Sequence, residues 1–185
     1  MMTNPPRPDG CNLEVAVRGR ALRVFSASLL FGLMLGTSCA GESSSDGSPG
    51  GDAAAEIVRA YRAYRTAFDQ AADPPRPDHP ALRRTAAGKE LERLREVLDN
   101  DREVGLVRRG ETELHPRVTE IEGDRAVIRD CYLERGAVYL AATGEVVFDP
   151  GDEHVNARIT LRKIDDTWKV VEEVTEDRPC NPDMR

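Results

Sequence analysis

The pattern of hydrophobic and polar positions changes twice along this chain and divides it into three parts. An uncharged run at 24–35 follows several arginines near the N-terminus. Apolar residues then recur at helical spacing between about 53 and 98. From Leu106 onward they alternate with polar residues, which is the period of a half-buried strand. The pattern therefore predicts an apolar N-terminal segment, a helical part and a sheet, in that order.

The helical part begins with a stripe of large apolar side chains at steps of four, three and four. This stripe predicts one helix over about 53–72, with Asp52 as its N-cap. The proline-rich segment 73–80 must end the helix, because proline cannot continue it. A short helical turn at 81–86 and a second amphipathic helix that ends before Gly105 are expected to follow. The stripe consists of Ile57, Tyr61, Tyr64 and Phe68.

The remainder of the chain predicts six strands separated by short turns rich in Gly and Asp. On the last strand, Trp168, Val170 and Val174 are expected to share one side, and the acidic run 172–177 is expected to be a solvated strand end. Helices followed by antiparallel strands predict an α+β fold, with the N-terminal helices packed on one face of a curved antiparallel sheet. The predicted strands are 106–121, 125–134, 137–142, 145–149, 154–164 and 167–175.

The apolar run near the N-terminus has the layout of a secretory signal peptide. Arg18, Arg20 and Arg23 precede it, and small residues lead from it to Cys39. The alternative is an uncleaved anchor, since 24–41 holds 18 uncharged residues, at the lower limit for a spanning helix. Both interpretations place the domain outside the cytoplasm, because the arginines stay inside.

Composition divides the rest of the chain into a linker and one domain. Gly, Ser and acidic residues dominate 39–51, which predicts a flexible tether after a signal peptide at 1–38. Residues 52–185 are enough for a single hydrophobic core. The net charge of −7, with basic residues scattered along the chain, makes nucleic acid a poor partner.

The four cysteines fall into different parts of this scheme. Cys11 lies in the leader, and Cys39 stands at the predicted cleavage site. Cys131 and Cys180 form an even pair in an oxidising compartment, which predicts a disulfide. A reactive thiol or a metal ligand is the alternative for this pair, although its spacing and the lack of clustered histidines do not suit zinc.

Several motifs carry a resemblance to known families. Residues 61–64 and 164–170 resemble the opening helix and closing hairpin of the nuclear transport factor 2-like (cystatin-like) α+β cone family. Segment 73–80, the sequence at 129–131 and the Pro-Cys at 179–180 resemble a group of small lipoproteins from high-GC Gram-positive bacteria. The resemblance covers about 54–180. It implies a cone fold and a lipid on the thiol of Cys39 that holds the chain at the extracytoplasmic face of the cell membrane.

A cone fold implies a pocket between the helices and the concave sheet face, and related enzymes place an acid and a tyrosine there. Asp130 is the candidate acid, paired with Tyr61 or Tyr64 as a general acid/base pair. The alternatives are that Asp130 pairs with an arginine, caps a backbone group or faces water. The candidate pocket lining, which has the hydrophobic core as its alternative, is Tyr61, Tyr64, Phe68 and Trp168.

The sequence thus predicts a non-catalytic binding or accessory module of the cell envelope that contacts an envelope protein or a small apolar ligand. The alternative is a small-molecule isomerase or dehydratase that uses Asp130. A homodimer is expected if strands at 154–175 expose an apolar patch. No cofactor or metal is predicted, because His79, His115 and His154 lie at no metal-ligand spacing.

Overall fold

The computed structural model describes residues 49–182, which fold as three helices followed by eight strands. The predicted signal peptide, Cys39 and most of the predicted tether lie outside the described residues. The helices are α1 (Pro49–Ala72), α2 (Pro80–Thr85) and α3 (Gly88–Val104). The strands are β1 (Leu106–Arg109), β2 (Thr112–Glu113), β3 (Arg117–Glu122), β4 (Arg125–Glu134), β5 (Ala137–Leu140), β6 (Val146–Phe148), β7 (His154–Ile164) and β8 (Thr167–Glu176).

The strands form two antiparallel sheets. In the five-stranded sheet, β2 and β3 both pair with β4, and β7 and β8 follow in order. The three-stranded sheet has the order β1-β5-β6. The three helices precede all strands and pack against the larger sheet, so the predicted α+β fold with N-terminal helices on an antiparallel sheet is confirmed.

The apolar stripe of α1 forms the centre of the core. Ile57, Tyr61 and Tyr64 are almost completely buried, and Phe68 is partly buried. They pack with the inward residues of β4 and β7, among them Ile128 and Ile159. The stripe therefore faces the sheet, as the helical spacing of these apolar residues requires.

The residues at the helix ends are those that the sequence predicts, except at the start of α1. Pro80 opens α2, and Gly105 ends α3 in the left-handed conformation at φ 74°. Helix α1 begins at Pro49, three residues before the predicted N-cap Asp52, which lies in its first turn. An acidic side chain is favourable in the first turn as well as at the cap, so the sequence signal is the same for both positions.

The predicted strand at 106–121 is the largest departure, because the structure divides it into β1, β2 and β3. Gly110 turns the chain at φ 126°. A Cβ at this residue would lie 2.2 Å from the carbonyl oxygen of Arg135, so only glycine fits. The second break contains Pro116, which has no amide proton to donate to a ladder. The β7–β8 turn is tight, with Asp165 and Asp166 at positive φ.

No helix in the described part of the chain combines the length and the hydropathy that a membrane crossing requires.

Candidate functional site

An open cavity of about 430 Å³ lies between α1, α3, β1 and the strands β4 and β8 of the larger sheet. Its apolar wall is formed mainly by Phe68, Leu94 and Val97. Its other wall is polar and charged, so the cavity is amphipathic. The remaining lining residues are Tyr64, Arg65, Arg93, Arg108, Tyr132, Glu134, Glu173 and Thr175.

Arg65 joins α1 to the two sides of this cavity. Its guanidinium donates to Glu134 on β4 at 3.0 Å and to Glu173 on β8 at 3.2 Å. It also donates to Thr112 at 3.1 Å and lies 4.7 Å from the ring centre of Tyr132. Burial acts to lower the pKa of Arg65, but the charge of Glu173 and its other anionic neighbours outweighs burial and raises the pKa. Arg65 therefore stays charged and cross-links three elements.

Tyr64 stands between two buried carboxylates, Glu90 and Glu173. Its hydroxyl contacts an oxygen of Glu90 and lies 2.8 Å from one of Glu173. A hydroxyl has one proton to donate, so it satisfies one carboxylate at a time. Arg93 supplies further donors to Glu90 at 2.6 and 3.1 Å. Burial raises the pKa of Tyr64 well above its usual value, and the charges of Glu173 and Glu90 raise it further.

A further ion pair lies at the cavity, between α3 and β1. Arg108 donates to both carboxylate oxygens of the buried Asp101, at 2.7 and 3.1 Å. With Arg65 and Arg93 engaged as described, every charged side chain that lines this cavity has a partner of opposite sign. The cavity therefore presents hydrogen-bonding groups and apolar surface, but its charges already compensate one another.

Asp130 lies outside this cavity, buried in the core beside Tyr61. It accepts a hydrogen bond from the backbone amide of His115 at 2.7 Å. Burial raises the pKa of Asp130, while Tyr61, the His115 amide and Arg65 act to lower it. The Tyr61 hydroxyl is close enough to affect that pKa, yet neither it nor Asp130 Oδ2 makes a hydrogen bond of ordinary geometry in the described residues. We therefore regard the pair as a close electrostatic contact.

The four predicted lining residues do not all reach the cavity. Tyr64 and Phe68 line it, whereas Tyr61 is completely buried beneath it. Trp168 is buried near the first half of α1, where it borders a separate surface cleft with Glu56. The aromatic stripe thus divides between cavity wall and core.

Cys131 and Cys180 form a disulfide-capable pair in the structure, with Sγ atoms 2.07 Å apart and Cα atoms 5.8 Å apart. They lie beside a shallow groove of about 340 Å³ that Asp130 also borders. Alternation along β4 directs the Asp130 side chain to the helix side with Ile128 and Tyr132, and Cys131 to the other side. Asp130 thus lies between the core and this groove, with only 2% of its surface exposed.

Sequence reasoning missed the charged residues that build the cavity wall. Glu173 was assigned to a solvated strand end, but its side chain is only 8% exposed. Its neighbour Val174, expected on the inner side with Trp168, is 38% exposed instead. Glu90 and Arg65 stand next to the apolar stripes of their helices, and no local pattern distinguishes them from ordinary surface charges. Within residues 49–182 there is no cluster of three metal-ligating side chains.

No protein-family model matches this chain, and no curated protein matches it. The crystal structure of the intermembrane space region of chloroplast protein ARC6 is similar, with a TM-score of 0.52 and 16% identity over 66% of this chain and 95% of that chain. This likeness shows a shared fold and nothing about activity.

Two further structures are similar at lower TM-scores. One is a protein of unknown function with a cystatin-like fold from Nostoc punctiforme PCC 73102, with a TM-score of 0.37 and 13% identity over 65% of this chain and 87% of that chain. The other is a de novo β-sheet design, with a TM-score of 0.33 and 16% identity over 68% and 92%. Likenesses at these TM-scores carry no argument. The resemblance to small lipoproteins stays a prediction.

Proposed function

We propose that this chain is a lipoprotein anchored through Cys39 at the extracytoplasmic face of the cell membrane, and that its domain is a non-catalytic binding module. The sequence of residues 18–39 supports the anchor. The disulfide-capable pair supports an oxidising compartment. The similar ARC6 structure is that of an intermembrane space region.

The observation that carries the binding role is the character of the open cavity. Its charged groups have partners of opposite sign, and Phe68 and Val97 of its apolar wall are partly exposed. A catalytic acid or base must exchange a proton with the bound molecule, whereas Tyr64, Glu134 and Glu173 in this cavity are held by hydrogen bonds and ion pairs within the protein. The cavity therefore suits a small, largely apolar ligand with a hydrogen-bonding end.

Filling the cavity tests this role. Val97→Trp places an indole against the apolar wall, whereas Val174→Trp adds the same group to an exposed position of β8. We expect envelope lipid extract to raise the melting temperature of the wild-type chain and of Val174→Trp, but not that of Val97→Trp. An equal response of all three chains would contradict binding in this cavity.

Substitution of Cys39 tests the anchor. Cys39→Ser removes the thiol that would receive the lipid, so we expect the chain to be released into the medium or to remain unprocessed. Fractionation of cells and mass spectrometry of the N-terminus measure this result. Unchanged membrane retention of the substituted chain would favour an uncleaved spanning segment instead.

The enzyme alternative has one observation in its favour, the burial of Asp130 beside the Tyr61 hydroxyl with a raised pKa. Such a carboxyl can act as a general acid if a substrate reaches it. Neither residue lines the open cavity, and Asp130 is only 2% exposed at the groove beside Cys131, so this function requires an opening of the core at one of these two places. Slow hydrogen exchange at the amide of His115, unchanged by any ligand that binds the cavity, would count against the enzyme.

A further inference from the structure

The most exposed apolar surface of the domain is the short strand β6, not the strands on which a dimer patch was expected. Val146, Val147 and Phe148 are 52%, 53% and 58% exposed. Within 154–175, the one large apolar side chain that is exposed is Val174. Three consecutive exposed apolar residues on one strand have no role in the core, so they indicate an interaction surface.

The backbone of β6 is open on one side. β6 is the outermost strand of the β1-β5-β6 sheet, and β5 pairs with its inner edge. Among the described residues no backbone hydrogen bond reaches its outer edge. An edge strand of this kind is a template for one more strand from another chain. The strand itself lacks the lysine or proline that commonly protects such edges, and its protection is limited to its three-residue length and to the extra residue Val147 in its pairing with β5.

The charges next to β6 along the chain are all of one sign. In space, Arg108 and Arg109 share a small cavity with Phe148, and Arg135 lies 4.0 Å from Asp152. From 141 to 153 the chain has no lysine or arginine, but it has acidic side chains on both flanks of the strand. Glu145 directly precedes β6 and Asp149 directly follows it, and Asp152 and Glu153 come next. The edge is therefore an apolar centre between two carboxylates.

This arrangement disfavours a second copy of the same chain. Antiparallel self-pairing that aligns the three apolar residues is centred on Val147. In that register Glu145 of one copy lies opposite Asp149 of the other, at both ends of the pair. Like charges directly opposite each other destabilise a strand pair. Lipid is also disfavoured, because anionic headgroups repel carboxylates.

We propose that β6 binds an extended segment of another protein by strand addition, and that this segment has apolar residues flanked by lysine or arginine. The backbone edge supplies main-chain hydrogen bonds, and Val146, Val147 and Phe148 supply apolar contacts. Glu145 and Asp149 select for basic flanks. Val146 and Val147 do not line the large cavity, and Phe148 borders only a smaller one that shares Arg65 and Phe68 with it. The inference rests on the edge of β6 and does not depend on the ligand of the large cavity.

A labelled peptide of sequence Gly-Ser-Lys-Val-Ile-Val-Lys-Ser-Gly is the probe, with the full chain in nonionic detergent and fluorescence anisotropy as the measurement. We expect it to bind about tenfold more tightly than the same peptide with both Lys replaced by Glu. A peptide N-methylated at its central residue should bind weakly, because it lacks a backbone donor. Hydrogen exchange of 145–149 should slow in the complex.

The double substitution Glu145→Lys and Asp149→Lys is the matched protein variant. Both positions are exposed, so we expect the fold to be retained, which circular dichroism checks. The variant should prefer the acidic peptide to the basic one. Reversal of the preference supports the proposal. Nonspecific attraction of the basic peptide to the acidic domain would instead persist in the variant.

Four results would overturn the proposal. The two peptides could bind equally, or neither could bind. The amides of 145–149 could already be protected in the free chain, which would mean that a second copy or another segment of this chain occupies the edge. Alternatively, vesicles of phosphatidylglycerol could protect these amides, and the surface would then be a lipid contact.

Discussion

At the scale of single residues, Arg65 connects more of the site than any apolar side chain in the cavity. It belongs to α1, yet its partners Glu134 and Glu173 lie on β4 and β8. Removing one partner from such a network leaves a buried charge without a counter-charge. The resulting loss in the free energy of unfolding is larger than the net contribution of the intact network. The arrangement of the cavity therefore depends on the planar, multiply donating shape of this guanidinium.

Arg65→Met should lower the free energy of unfolding by about 3 kcal/mol, because Glu173 would lose its main counter-charge. Arg62→Met on the same helix is the control, since Arg62 is exposed. We expect the control to change stability by less than about 0.5 kcal/mol. Urea denaturation of both chains measures the difference, and equal losses would show that Arg65 has no special role.

Asp130→Asn should give a pH-dependent stability difference. Burial raises the folded-state pKa of Asp130 above its ordinary 3.8, so its charge destabilises the fold at neutral pH. That penalty disappears as the pH falls through the folded pKa toward 3.8. We expect the asparagine chain to be more stable than wild type by about 1 kcal/mol at pH 7, with the advantage declining toward pH 4. Urea denaturation at several pH values measures it, and a constant difference would contradict this account.

At the scale of elements, the strands that were predicted with the correct bounds are those with clear turn residues at both ends. β4 and β7 match the predicted 125–134 and 154–164, because glycine and aspartate mark the adjoining turns. β8 was placed correctly, but its faces were not. Its register with β7 shifts after Leu161↔Val170 to Thr160↔Glu172, so Val171 is an extra residue in β8. This bulge turns Glu173 toward the cavity and Val174 outward, and strict alternation could not predict it.

The turn between β1 and β2 offers a test of backbone crowding. Gly110→Ala should lower the free energy of unfolding by at least about 2 kcal/mol, because its Cβ would meet the carbonyl oxygen of Arg135 at 2.2 Å. Gly123→Ala is the control, since Gly123 also has a positive φ but open space around it. We expect about 1 kcal/mol for the control. Thermal or urea denaturation compares them, and identical losses would argue against the close contact.

The paired cysteines tie the end of the chain to the middle of the larger sheet. Cys131→Ser with Cys180→Ser should lower the free energy of unfolding by about 4 kcal/mol, because the bond closes a loop with a sequence separation of 49. Denaturation with and without reductant measures this effect, and thiol titration should detect Cys131 and Cys180 only after reduction. Reductant should leave the double variant unchanged. Free thiols at both residues in the untreated chain would contradict the pairing.

At the scale of the whole molecule, the spacing of apolar residues and the positions of turn residues were enough to predict the fold class. The charged side chains of the cavity could not be predicted in this way. The change from a helical to a two-residue period depends on local sequence alone. The cavity wall depends on pairs such as Arg65 with Glu173, which are 108 residues apart. No feature of the sequence near Arg65 or near Glu173 indicates that the two residues pair. The same limit applies to β6, whose apolar residues read as an ordinary strand until the sheet order shows that no neighbour covers them.

Helix α1 also separates β6 from Pro49, the first residue that the structure describes. It has 24 residues and is therefore about 36 Å long. Phe148 shares a small cavity with Asp69 and Ala72, in the last turns of this helix, whereas the upstream chain enters at Pro49. Strand β6 thus lies some 30 Å along the rod from that entry point. The proposed partner of β6 would therefore bind near the end of α1 that is opposite to Pro49.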